Sequence, residues 1–543
     1  MVPGRMMDDY PLTLTHLLER AGNLFPRNEI ASRGPDGEIF RYTYGDFYKR
    51  THQLANALTG LGLEQGDRVG TLCWNHHRHL ELYFGIPAAG FVLHTLNLRL
   101  HQGDLSYIAN HAEDKVIFVD RSLIPILDTF KDEVKSLKKV VVIPDDGPTP
   151  EGYTDYEDFI GLQPDTFTYP DIPERAAAAM CYTSGTTGNP KGVLYSHRST
   201  VLHTMGACMS DTLGVNERDT VLPVVPMFHA NAWGLPFAAV MTGAKMVFPG
   251  PNLQPEGLLD LMSVEKVTMA AGVPTIWIGI LGLLDQDASR WDLSAMRTMV
   301  IGGSAAPPSM IDGFKQRHGL TVTHAWGMTE TNPLGSLART KRYMDDWSDQ
   351  QKLEVQATQG FPVPFVDIRH VSDEGQVLPW DGEVMGELEV RGPWVAASYY
   401  NNEEQAERFT PDGWFKTGDI VTINGDGYIQ ITDRSKDVIK SGGEWISTVA
   451  LENALMAHPA VMEAAVFAGQ HPKWDERPIA AIVLNPGQSA SGDDLAKHLE
   501  GSFAKWWLPD AYLFVDEIPK TSVGKFQKLK LRDEYGDYLV KQG

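Results

Sequence analysis

The stretch YTSGTTGNPKG, Tyr182 to Gly192, decides how the rest of the chain is read. Threonine, serine and glycine packed ahead of a lysine describe a loop that brings backbone N–H groups and a cation to phosphate oxygens. The most familiar loop of this kind has the fixed spacing G-x-x-x-x-G-K-[ST], because its glycines, lysine and magnesium-binding hydroxyl must all reach one triphosphate. Counted from Gly185, the second glycine position is Pro190, and Gly192 follows Lys191 where the hydroxyl is required. The stretch is therefore a phosphate loop of another kind.

Working outward, 543 residues exceed what one hydrophobic core organises, so at least one large and one small domain are expected. Hydrophobic residues at 43%, charged residues at 22% and 13 tryptophans describe a folded globular chain. The 47 basic and 70 acidic residues give a formal charge of −23, which repels nucleic-acid backbones and anionic membranes. Nucleic acid is not an expected partner. Cys73, Cys181 and Cys208 form no C-x-x-C pair, which fits a reducing compartment without a zinc framework. The opening MVPGRMMDDYPLTL carries no apolar segment of signal length, so a cytoplasmic location is expected. Val221 to Ala244 lacks formal charge, yet its three prolines, His229 and Asn231 suit a buried pocket wall rather than a membrane span.

From residue 12 to about 380, helical patterns such as Asp46 to Leu63 alternate with short apolar runs such as KVIFVD (Lys115 to Asp120), which predicts α/β layers. TMVIGGSAAP (Thr298 to Pro307) and TVTHAWGMTE (Thr321 to Glu330) read as strands running into tight turns, where open α/β sheets place ligands. After Trp380 the pattern turns β-rich, and from about Asp433 a compact α+β pattern follows, with helices expected near Val449 to Ala457 and Asp493 to Trp506. The expected division is 1–432, a hinge at 433–436, and a small domain over 437–543. The cluster WNHHRH (Trp74 to His79) has no i, i+4 histidine pair and stands far in sequence from other ligands, so a helix-start packing role is expected.

Three lysine and glycine stations need a common explanation: YTSGTTGNPKG, DRSKDVIKSGGEWIS (Asp433 to Ser447) and PKTSVGKFQK (Pro519 to Lys528). With GMTE (Gly327 to Glu330) and TGD (Thr417 to Asp419) in order between them, the chain resembles the acyl-adenylate-forming enzymes over residues 12 to 535. That superfamily holds acyl-CoA synthetases, luciferases and peptide-synthetase adenylation domains. MFHANAW (Met227 to Trp233), IGGSAAP and IKSGGEWIS look most like bacterial soluble medium- and long-chain fatty acyl-CoA ligases. The resemblance implies a large multi-layer α/β domain with a β-rich part, a small mobile α+β lid, and a homodimer. It implies ATP, Mg2+ and CoA, with a carboxylic acid activated as acyl-AMP and then transferred to the CoA thiol.

Carried onto these positions, the resemblance gives Ser184, Gly185, Thr186, Thr187, Gly188 and Lys191 to the β- and γ-phosphates, and Thr183 with Glu330 to magnesium. Asp419 and Arg434 would bind the ribose and phosphate side, while Gly303, His324, Ala325, Trp326 and Thr329 frame adenine and the α-phosphate. Relatives often have tyrosine where Trp326 stands, so stacking is expected to survive but the phenol's hydrogen bond is not. Lys525 would bridge carboxylate and α-phosphate; Lys436 would be the hinge; Lys440, Gly442, Gly443 and Trp445 would replace Lys525 and line the pantetheine channel. His229 would lie beside the reacting carbonyl, with Gly303 near the acid and Trp233 as a gate on the acyl tunnel. Two other ligases compete, for a short or sulfur-containing acid such as 3-methylmercaptopropionate and for an aryl acid. From other classes come a non-catalytic nucleotide- and acyl-binding protein on the same fold, a luciferase-like oxygenase, and a peptide-synthetase module, the last disfavoured because no carrier domain is read in the chain.

Overall fold

The computed structural model describes residues 4, 7, 9–183, 189–441, 444–520 and 526–542. Ser184, Gly185, Thr186, Thr187, Gly188, Gly442, Gly443 and Lys525, all named from the sequence, lie outside the described residues.

Strongly apolar runs form the centres of two large sheets. VIFVD (Val116–Asp120) is buried at every position, as a parallel strand covered on both faces must be. It sits inside a seven-stranded sheet that ends, on its other side, with Ala177–Tyr182 paired antiparallel to Gly192–Ser196. The second sheet has nine strands, and its parallel centre runs through Thr220–Pro223, Met269–Gly272, Thr298–Ile301 and Val322–Gly327. Helices fill the layers around them. Tyr44–Thr59 starts with a reciprocal cap between Thr43 and Asp46, then turns Phe47, Leu54 and Leu58 inward.

The β-rich part begins earlier than the sequence pattern suggests. Asp367–Val371 lies before Trp380 and pairs antiparallel with Gly386–Arg391, which makes it the first strand of a four-stranded sheet completed by Phe415–Ile423 and Ile429–Arg434. A single strand of mixed composition carries little period-2 signal until its partner is known.

Over residues 435–438 the chain leaves that sheet and enters another of five strands, in which Val461–His471 and Asp475–Leu484 form a long hairpin. This C-terminal part has its own core, including Ile439, Leu451, Val466, Ile482 and Leu495. The helix expected over Asp493 to Trp506 stops at Glu500, with Gly501 as its cap, and a separate 3-10 turn covers Lys505–Trp507. Among the described residues no helix is long and apolar enough to cross a membrane. The uncharged run Val221 to Ala244 breaks instead into a strand, a tight turn at Ala230–Gly234 and the short helix Leu235–Thr242.

Candidate functional site

Turns from both large sheets, the four-stranded sheet and the C-terminal part open onto one cleft of about 1910 Å³. That exceeds the roughly 300–1000 Å³ of an ordinary small-molecule site. It has room for a nucleotide and a second substrate together.

Thr183 and Lys191 stand at the two ends of the phosphate-loop stretch and tie it shut. Thr183 N donates to Lys191 O at 2.9 Å, and Lys191 N donates to Thr183 Oγ1 at 3.1 Å. The Lys191 ammonium lies 5.3 Å from the centre of the Tyr399 ring. Burial, then Arg408 and Lys436, lower it from its ordinary pKa against the opposing pull of Glu330. Glu330, 5% exposed, follows the strand Val322–Gly327, and its Oε1 accepts from the Tyr399 hydroxyl at 2.5 Å. Its backbone carbonyl takes Ala396 N at 2.7 Å, and the adjacent Thr329 carbonyl takes the Tyr195 hydroxyl at 2.6 Å. The turn carrying Glu330 is thus braced by the strand Gly192–Ser196 and by the loop that holds Ala396 and Tyr399.

Asp419 is a buried carboxylate at the foot of the cleft. Trp326 Nε1 donates to its Oδ2 at 2.9 Å, and Arg434 Nε stands 2.7 Å from its Oδ1. That ion pair is close but not aligned as a hydrogen bond, so Oδ1 retains an unfilled acceptor direction. The indole N–H supplies a donor of its own, directed to Asp419, and Trp326 is 6% exposed. His324 is neutral, since burial lowers its imidazole to about 4, and its Nδ1–H donates to Ala357 O at 3.3 Å.

His229 and Trp233 flank a backbone that departs from the ordinary. Ala230, Asn231, Ala232, Trp233 and Gly234 all have positive φ, from 36° to 76°. A left-handed turn costs roughly 1–2 kcal/mol for each residue bearing a Cβ, and such strain concentrates at functional sites. Buried contacts hold it: Ala232 N donates to His229 O at 3.0 Å, and the Cys181 thiol donates to Asn231 Oδ1 at 3.2 Å. The turn lays the half-buried Trp233 indole on the Gly302–Gly303 turn, where a Cβ at Gly302 would stand 3.2 Å from the ring. Gly303 itself has φ of 85°. The apolar side chains Leu213, Ile278, Val300, Ala325 and Leu334 line the same cleft.

Thr183, Lys191, His229, Trp233, Gly303, His324, Ala325, Trp326, Thr329, Glu330, Asp419, Arg434 and Lys436 all line the cleft. Lys440 and Trp445 do not line it. Lys440 Nζ lies 3.3 Å from Asp373 Oδ2, on a loop of the four-stranded sheet, and 4.9 Å from the Trp445 ring. Lys520, Phe526 and Lys528 of the third lysine station, and Lys530 just beyond it, do face the cleft. Tyr399 and Arg408 are functional candidates that the sequence does not single out, because neither lies in a glycine or lysine station.

The WNHHRH cluster needs a correction. His76 does cap the helix His77–Ala88, with Nδ1 accepting from His79 N at 3.0 Å. It is not remote from other ligands, however: Cys73, His76 and Asp120 converge, and His76 Nε2 stands 2.8 Å from Asp120 Oδ1. The fold brings Asp120 across from a neighbouring strand, which spacing along the chain does not reveal. Each group already has a protein partner, since Asp120 Oδ2 also accepts from Trp74 N at 2.7 Å and the Cys73 thiol faces Phe118 O at 3.8 Å. The helix-start role accounts for the arrangement.

A family model described as AMP-binding enzyme matches residues 18–400, and one described as AMP-binding enzyme C-terminal domain matches 450–525. A long-chain-fatty-acid–CoA ligase of Thermus thermophilus is 48% identical over 538 residues, covering 99% of this chain and 98% of that protein. A 3-methylmercaptopropionyl-CoA ligase of Ruegeria lacuscaerulensis is 44% identical and covers 99% of each. Among solved structures, the anthranilate CoA ligase AuaEII in complex with anthranoyl-AMP superposes with a TM-score of 0.86 at 28% identity, covering 99% of this chain and 100% of that one.

Proposed function

The chain belongs to the AMP-binding enzyme family, and from that premise we propose that it is an acid–thiol ligase making acyl-CoA from a medium- to long-chain fatty acid. One observation supports the choice of acid: the cleft that holds His229 and Trp233 is also lined by the apolar side chains Leu213, Ile278, Val300, Ala325 and Leu334.

A carboxylate oxygen attacks the α-phosphorus of ATP and pyrophosphate leaves, which gives the acyl group a good leaving group. The CoA thiol then attacks the acyl carbon and AMP departs. The first step crowds negative charge, and preorganised donors lower its barrier. In the proposed assignment Asp419 accepts from the ribose hydroxyls through its unfilled Oδ1 direction, Arg434 donates on the phosphate side, and Lys191 meets the β- and γ-phosphates. Trp326 then acts on Asp419 as well as beside the base. Glu330 and Thr183 offer hard oxygens, the donor class that magnesium takes, and they would hold that ion. When bound, it supplies positive charge against the phosphate oxygens.

Lys436 is the proposed hinge, between a large domain ending at 432 and a lid over 437–543. The pose in hand suits the first step, since Lys520, Phe526 and Lys528 face the cleft while Lys440 is engaged by Asp373. Lys440, Gly442, Gly443 and Trp445 are then the proposed second-step set. Cytoplasm and a homodimer are the proposed compartment and assembly.

Pyrophosphate release across acids from acetate to palmitate, with 3-methylmercaptopropionate and benzoate included, tests the reading. The rate should depend on ATP, and kcat/KM should rise to octanoate or beyond. A maximum at the sulfur acid or at benzoate overturns the fatty-acid assignment. In the same series Trp233→Ala should change long acids by tenfold or more and butyrate by much less. A core tryptophan would instead cost about 3–5 kcal/mol of stability and affect every acid alike. A large fall in melting temperature with a uniform rate loss removes the gate.

A further inference from the structure

Arg408 stands outside every glycine and lysine station, on the 3-10 segment Glu403–Arg408, yet it lines the cleft beside Thr417, Gly418 and Lys191. Its Nη2 donates to Thr417 O at 3.0 Å, just ahead of Asp419. Gly418, with φ of 75°, makes the approach possible: a Cβ there would stand 3.1 Å from Nη2. The guanidinium carbon lies 5.8 Å from the Phe415 ring. One N–H has no partner among the described residues, namely the buried Nε. The side chain is therefore held by packing, the Thr417 carbonyl and the nearby Tyr399 hydroxyl, while its Nε–H is unspent.

Its electrostatic neighbours place it at one end of the cleft. Arg408 acts on the Lys191 ammonium and on the Tyr399 hydroxyl, and Tyr399 is the residue that holds Glu330. Lys436 acts on the same ammonium. Three cations thus gather where like charges repel. The carboxylates around them are largely committed: Glu330 to Tyr399, Asp419 to Trp326 and Arg434, and Glu387, behind Arg408, to Gly418 N at 3.1 Å. Glu407 is exposed at the rim. Such a cluster favours a compact polyanion as its occupant, and a guanidinium fork matches phosphate oxygens.

We infer that Arg408 binds the β- and γ-phosphates of ATP and the pyrophosphate product, as a phosphate ligand additional to the Tyr182–Gly192 loop. This deepens the AMP-forming reading and rests on it. Arg408 and Glu330 act on the same Tyr399 hydroxyl, and Lys191 lies over that ring, so the contact is assigned to the end of the nucleotide that AMP lacks.

The test compares three ligands by calorimetry on the full chain: ATP with Mg2+, pyrophosphate with Mg2+, and AMP. In Arg408→Gln, whose amide still offers a donor to the Thr417 carbonyl, ATP and pyrophosphate should bind about tenfold or more weakly while AMP stays within twofold. Arg408→Lys restores the charge and should recover at least half of that loss on a logarithmic scale. If Arg408→Gln melts early, Arg408→Lys against the parent decides, with a two- to fivefold loss for ATP and none for AMP expected. Equal weakening of ATP and AMP would mean that Arg408 only props the Thr417–Asp419 turn, and overturns the inference. No change for any ligand overturns it too. A parent protein that binds AMP but neither ATP nor pyrophosphate overturns the AMP-forming reading itself, and the inference with it.

Discussion

Lys525→Ala is expected to lower acyl-adenylate formation by about 10²–10³, the loss typical when one preorganised cation or donor is removed from a developing negative charge. Thioester formation from supplied acyl-AMP should stay within a few-fold of the parent. The argument begins from which lysines of the tail are already committed. Lys520 Nζ pairs with Glu463 at 2.5 Å, and Lys528 Nζ pairs with Glu452 at 2.7 Å. Neither has a free charge to replace the lost one. Lys525 lies outside the described residues; Lys520 before it and Phe526 after it both line the cleft. The proposed lid, turning about Lys436, would present Lys525 in one pose only, so the two half-reactions should separate. Single-turnover assays of each half-reaction check this. Equal loss in both would remove Lys525 from the assigned role and point to a displaced lid.

The ordered motifs were legible because each marks a local demand of backbone geometry. TMVIGGSAAP and TVTHAWGMTE do end strands Thr298–Ile301 and Val322–Gly327 at the cleft, and glycine at 303 does carry a positive φ. The α/β layers were legible from apolar runs such as VIFVD. The left-handed turn at 230–234 was not, because Ala-Asn-Ala-Trp contains only one residue type that enters that region readily; buried contacts from Cys181 and the strand ends impose it. The bond from Trp326 to Asp419 spans 93 positions, and the one from Tyr399 to Glu330 spans 69. No window along the chain contains either pair. His76 and Asp120 fail to meet in the sequence for the same reason.

Lys528→Met is expected to destabilise the C-terminal part by roughly 3–5 kcal/mol at alkaline pH, because breaking a buried ion pair leaves its partner either charged and dry or forced to take up a proton. Lys528 is 8% exposed and Glu452 6%. Glu452 Oε1 also accepts Val466 N at 2.7 Å, while Asp433 Oδ2 accepts Thr448 N at 2.7 Å. Burial pushes the Glu452 carboxyl up to about 7, even though Lys528 pulls it down, and burial likewise raises Asp433. Burial opposes the Lys528 charge, but Glu452, Asp433 and Asp437 hold its ammonium above its usual value. A carboxyl whose pKa is raised by folding favours the folded state when protonated, and that contribution is lost as pH rises through the folded value. Without Lys528 both carboxyls move higher still, so the variant's deficit should be large at pH 8 and shrink as pH falls toward 5. Melting curves of the parent, Lys528→Met and Lys528→Met/Glu452→Gln over that range provide the check. The double variant should recover more than half of the loss at pH 8, since a neutral amide no longer needs the cation. A deficit that stays constant with pH, or a double variant no better than the single one, would mean that Lys528 contributes packing alone. Asp433 lies in the strand Ile429–Arg434 and Thr448 opens the first helix after it, so the same network ties the C-terminal part to that strand. The single variant should therefore also weaken protection of the amides of residues 432–434 from hydrogen exchange, and the double variant should restore it.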